Sequence, residues 1–167
     1  MKLRILAVVF TVIVLVTLST TVVLAADMFS GTWKLNLEKS TYSPGPPPKE
    51  PTVSTYIAVK NGYRLMSDGV TAGGKKAHSE YTFAFDGKDY AGTQTMDGQP
   101  NGNSSDQTIS AKKVDEYTIE FTFKVRDTVT GHAKAVISKN GKTETYTFTS
   151  SGVNGQTVNN TTIWNKQ

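Results

Sequence analysis

The sequence predicts an all-β protein, a single up-and-down antiparallel barrel of about 8–10 strands. Three observations predict it. Beyond residue 26, apolar and polar residues alternate with a period of two in one short run after another, and no run holds a helical period. Turn-forming residues separate these runs at hairpin spacing, with Asn61-Gly62 and Asn140-Gly141 as the clearest signals. The composition is rich in Thr, Gly and Asn and only 19% charged, which suits strands and tight turns. Sequential hairpins favour closure into a barrel, because closure removes strand edges that would otherwise stand exposed.

The first 26 residues stand outside that pattern. Lys2 and Arg4 precede an uncharged, mostly apolar run from Ile5 to Leu18, and small residues follow up to Ala25 and Ala26. This is the layout of a cleaved secretory signal peptide over 1–26, cut after Ala25 or Ala26, with an uncleaved anchor as the competing reading. Either one exports residues 27–167, to the periplasm or the extracellular medium. Removing the segment takes two of the 18 basic residues and none of the 14 acidic ones, leaving a net charge of +2. A near-neutral chain without a dense Lys/Arg run is a poor nucleic-acid binder. Cysteine is absent, which excludes disulfides and thiol catalysis.

The barrel is expected over 27–167. Its first strand is Phe29-Ser30-Gly31-Thr32-Trp33-Lys34-Leu35, where Trp33, Leu35 and Leu37 alternate with polar residues. A proline-rich connector, 41–51, follows; proline fixes φ and removes donors, so the segment reads as extended and lies outside the sheet. Val53, Thr55, Ile57 and Val59 form one face of the next strand, and Asn61-Gly62 turns the chain into Tyr63 and Leu65. Tyr81, Phe83 and Phe85 make an aromatic stripe that stops at Asp86-Gly87, and Tyr90 to Met96 is a weaker strand. Asp97 to Ser105 is the most loop-like piece. Ile109 and Ala111 lead to the clearest strand, Tyr117 to Val125, with Phe121 and Phe123 on one face. Ala133, Ala135 and Ile137 end at Asn140-Gly141, Tyr146 and Phe148 follow, and the last strand runs from Val158 to Trp164.

The opening Phe29 to Leu35 resembles that of the calycin barrels, the lipocalins and intracellular fatty-acid-binding proteins. There a Gly-x-Trp starts the first strand and the Trp plugs one barrel end, which implies the same for Gly31 and Trp33. More closely, the chain resembles a group of small exported bacterial lipocalin-like proteins of unestablished function. The shared segments are Gly31 to Asn36, Ser43 to Pro46, His78 to Tyr81, Asp86 to Tyr90 and Val158 to Asn160. At the carboxyl end Thr162 stands where fatty-acid-binding proteins carry the Arg that holds a carboxylate, and Trp164 stands for the Tyr beside it. The resemblance therefore implies a lipocalin-like barrel without that family's carboxylate clamp.

Chemistry-bearing patterns are sparse. His78 and Glu80 share a strand face and would need a third ligand to hold a metal, so no metal site is expected. His132 follows Gly131 and is expected in a solvent-facing turn. Glu120 and Glu144 are a candidate carboxylate pair, but both are expected to point outward between buried aromatics. Arg64 and Arg126 read as surface residues. No catalytic residue or cofactor is expected. Tyr63, Tyr81, Phe83, Phe85, Phe121, Phe123, Tyr146 and Phe148 are the candidates to line an interior cavity, since a ten-strand barrel is wider than one layer of side chains. The expected function is exported binding of a small apolar or amphipathic molecule. A protein-interaction module with a solid core is the alternative, and a hydrolase or isomerase the third reading.

Overall fold

The computed structural model describes residues 27–101, 106–151 and 156–167. The segment read as a signal peptide, and part of the loop-like piece Asp97 to Ser105, lie outside the described residues. Among the described residues eleven strands form: β1 (Gly31–Thr41), β2 (Glu50–Val59), β3 (Gly62–Val70), β4 (Lys76–Ala84), β5 (Tyr90–Met96), β6 (Gln99–Pro100), β7 (Gln107–Lys113), β8 (Thr118–Val125), β9 (Thr128–Ile137), β10 (Thr143–Ser151) and β11 (Thr157–Lys166). Each long strand pairs antiparallel with its neighbour in sequence, β1 pairs with β11, and β5 pairs with both β4 and β7. Ten strands therefore close an up-and-down barrel, and the two-residue β6 only extends the edge of β5. The narrowest seam is β5–β7, joined at Tyr90–Ile109 and Ala91–Thr108.

Alternation decides which side chains turn inward. Trp33 and Leu35, Tyr63, Tyr81 and Phe83, Ile109 and Ala111, Ile119 and Phe121, and Ala133, Ala135 and Ile137 are all buried. Their rings meet edge to face: Tyr63 reaches Phe83 and Phe85 at 6.4 and 5.7 Å, Phe83 reaches Phe121 at 5.5 Å, and Phe123 reaches Phe148 at 5.5 Å. Such contacts match the positive ring edge to the negative face.

One end of the barrel is closed by the residues just before β1. Trp33 is fully buried and its Nε1 donates to the Phe29 carbonyl at 2.8 Å. Phe29 stacks against Tyr56 and Tyr63, and Lys166 donates to the Met28 carbonyl at 3.0 Å while its ammonium lies 5.1 Å from the Trp33 ring. Gly31 adopts φ 124°, a backbone conformation open to glycine alone, and the Lys166 stem packs where a Cβ would sit. Asp27 caps this end, accepting from the Phe29 and Ser30 amides and from the Tyr63 hydroxyl. Burial pushes its carboxyl up, but hydrogen bonds from Ser30, Tyr63 and Phe29 outweigh that and hold it below the usual value.

Three local expectations are corrected. The β2 face Val53, Ile57 and Val59 points outward, with Ile57 44% exposed, while Ser54 and Tyr56 are buried. Tyr56 joins the Phe29–Tyr63 cluster at 5.9 and 5.7 Å, and β-branched residues fit either face of a sheet. The first hairpin turns one residue earlier than expected. Asn61 carries φ 56°, Val59 pairs with Gly62, and Gly62 is a strand residue pressed against the Phe83 carbonyl. The connector is also shorter than 41–51, because Thr41 ends β1 and Glu50 and Pro51 already belong to β2.

Candidate functional site

The two hollows worth comparing lie in different surroundings. One, of about 420 Å³, opens between the ends of β2 to β5 and is edged by Glu50, Asp68, Lys76 and His78. Charged, outward side chains at strand ends make it a solvated cleft. The other, of about 280 Å³, lies inside the barrel. Leu35, Leu65, Tyr146 and Trp164 supply its apolar surface, and Ser54, Ser67 and Thr162 its polar one. The second is partly open and has the mostly apolar lining of a ligand site.

Its lining follows from the register. Trp164 on β11 stands directly opposite Leu35 on β1 and Glu144 on β10, so all three point to the same side of the sheet. Most of the polar groups are satisfied locally. Ser54 and Ser67 hydroxyls lie 2.7 Å apart, Trp164 Nε1 donates to Thr162 Oγ1 at 2.9 Å, and that hydroxyl donates to the Tyr146 carbonyl at 3.2 Å. The connector supplies the remaining wall. Ser43 is tied to β11 by its amide to Asn160 Oδ1 at 3.1 Å and by its carbonyl to the Asn159 amide at 2.7 Å. Lys49 is tied to β3 through the Val70 carbonyl at 3.0 Å, and beside these anchors Tyr42, just before Ser43, and Pro48, just before Lys49, line the cavity.

Glu144 overturns the expectation that it points outward. It is 3% exposed and lines the interior. Tyr56 donates a hydrogen bond to its carboxyl, while Oε2 is buried without a partner. Burial raises the carboxyl from 4.5 to about 8, and the Tyr56 bond only partly offsets this. Burial and then the nearby carboxyl push Tyr56 and Tyr146 upward as well, so both phenols stay protonated. Spacing alone could have found Glu144: it lies two residues before Tyr146 and four before Phe148, on one strand face.

Of the eight aromatic candidates, Tyr146 lines this cavity. Tyr63, Tyr81, Phe83 and Phe121 are buried core, and Phe85, Phe123 and Phe148 pack partly buried against them. Glu120 stays on the outer face, exposed between Ile119 and Phe121. His78 and Glu80 have separate partners on the outside, Asp68 Oδ1 at 2.7 Å and Arg64 at 2.8 and 3.0 Å. Among the described residues no group of three or more His, Cys, Asp or Glu could hold a metal ion. His132 is exposed, as expected, but it sits within strand β9 opposite Thr122 and not in a turn. Arg64 and Arg126 are surface residues.

No family model matches the chain, and no curated protein or solved structure matches it significantly.

Proposed function

We propose that this is an exported binding protein that holds a small apolar or amphipathic molecule inside a lipocalin-like barrel. The observation that carries the reading is the interior cavity of about 280 Å³, walled by Leu35, Leu65, Tyr146 and Trp164 and bordered by the tethered connector. Burying apolar ligand surface there contributes roughly 25 cal/mol per Å² before association costs. The chain's two tryptophans make the test direct, since Trp33 belongs to the closed end and Trp164 to the cavity. Titration with 1-hexanol is expected to change Trp fluorescence saturably, and Trp164→Phe should remove that change. A linear, non-saturating response in the unmodified protein would overturn the reading.

A further inference from the structure

Among the described residues Glu144 is the one acidic side chain that lines the cavity, and no lysine, arginine or histidine lines it. Its Oε2 is buried and unpartnered, in a side chain 97% removed from solvent by the 3% exposure of the residue. A buried polar atom without a partner costs on the order of 1–3 kcal/mol, so folded proteins rarely keep one without a use. The groups around it are aromatic: Tyr56 from β2, Tyr146 on its own strand, and Trp164 opposite on β11. Ring faces attract cations, most of all when water is excluded.

We propose that the interior site takes an organic amine, with the ammonium donating to Glu144 Oε2 and the apolar body lying against Leu35, Leu65 and Trp164. This rests on the interior being a binding site at all. An ammonium supplies what the pocket lacks, a compensating positive charge beside a desolvated carboxylate; the Tyr42 hydroxyl, also buried without a partner there, is neutral. The groups facing Glu144 do not compete for that role. Tyr56 and Tyr146 stay neutral, and the cross-strand neighbours Ile137 and Trp164 do not titrate. Tyr42, from the connector, is likewise raised by burial.

The proposal has a protonic signature. With the carboxyl at about 8, about 0.9 of the molecules hold its proton at pH 7. An entering ammonium keeps its own protons, and the Glu144 proton passes to buffer as the ion pair forms. Titration calorimetry of the unmodified protein with 1-hexylamine, in two buffers of different ionisation enthalpy, should show release of about 0.9 proton per amine at pH 7. Amine affinity should rise about tenfold between pH 7 and pH 9, because Glu144 ionises while an amine titrating near 10.4 remains charged. 1-Hexanol should show neither effect. Glu144→Gln should lose the preference for amine over alcohol by at least tenfold while still binding 1-hexanol. Equal binding of amine and alcohol without proton release would overturn the amine proposal and leave the interior site standing. Binding of neither would overturn both. The proton count needs no variant, so it decides the matter even where Glu144→Gln fails to fold.

Discussion

Glu144 and Trp164 face each other across the β10–β11 pair, and both side chains line the barrel interior. A carboxyl is thereby held against an indole in a place from which water is largely excluded. The consequence for stability has a definite sign. The folded carboxyl, at about 8, lies above its ordinary 4.5, so between these values the folded state binds more protons than the unfolded chain. Stability from this group is full below about 4.5 and is lost as pH rises through about 8. Its size is at most roughly 5 kcal/mol, at 1.36 kcal/mol per pKa unit. Asp27 acts in the opposite sense, but below the ordinary carboxylate value. Urea denaturation between pH 5 and pH 8 should therefore show declining stability for the unmodified protein. A flat profile, with greater stability at pH 8, is expected for Glu144→Gln. Identical slopes would place the carboxyl outside the barrel.

Trp33 is the test of the closed end. It is fully buried, and its ring is held by the bond to the Phe29 carbonyl and by Lys166 above it. Trp33→Ala should cost about 3–5 kcal/mol, a large share of a small domain's stability. Lys34→Ala, one residue along on the exposed face, should leave the denaturation midpoint within about 0.5 kcal/mol. Equal, small losses from both would remove the plug.

The contrast between neighbours such as Trp33 and Lys34 is why most of the barrel was legible in the sequence. A period of two, repeated ten times and broken by turn residues, has few solutions other than a closed meander. Legibility failed where residue type and spacing disagreed. On β2, Val53, Ile57 and Val59 looked like the buried face, yet β-branched residues suit either side of a sheet, and Tyr56 had the ring cluster to join. On β10, the habit of placing carboxylates outside overrode the spacing that puts Glu144 with Tyr146 and Phe148. The cavity had no local signal. It depends on how side chains from β1, β2, β3, β10 and β11 fill a shared volume, and a strand-by-strand pattern does not contain that sum.

Gly62 is fixed by contact and not by turn geometry. A Cβ there would lie 1.8 Å from the Phe83 carbonyl oxygen, a backbone atom of the paired strand β4 that cannot swing aside. Gly62→Ala should cost about 3 kcal/mol or more by forcing β3 and β4 apart. Gly73 meets nothing closer than Thr71 Oγ1 at 3.9 Å, so Gly73→Ala should be nearly neutral. Denaturant midpoints for the pair check this, and a neutral Gly62→Ala would contradict the β3–β4 register.

The proposed export predicts where the mature chain begins. The small residues before Asp27 fit peptidase cleavage after Ala25 or Ala26. Asp27 is already engaged with the Phe29 and Ser30 amides and with Tyr63, so cleavage there would spare the cap of the closed end. Intact-mass measurement of the exported protein should show Ala26 or Asp27 as the first residue. A mass that retains residues 1–26 would establish an anchor instead.

Ligand charge gives the last expectation. Thr162 and Glu144 line the same cavity, and among the described residues no cationic side chain lines it. A bound carboxylate would meet a like charge once Glu144 is ionised. At about 4 Å and an effective dielectric near 20, that repulsion is on the order of 4 kcal/mol. Methyl hexanoate should therefore bind at least tenfold tighter than hexanoate at pH 9. The gap should narrow toward pH 7 as Glu144 takes up its proton. The ester's affinity should barely respond to salt, because no ion pair is being screened. Trp fluorescence titrations of acid and ester at both pH values measure this. Tighter, salt-sensitive binding of the free acid would mean that a cation reaches the cavity and that Glu144 does not govern it.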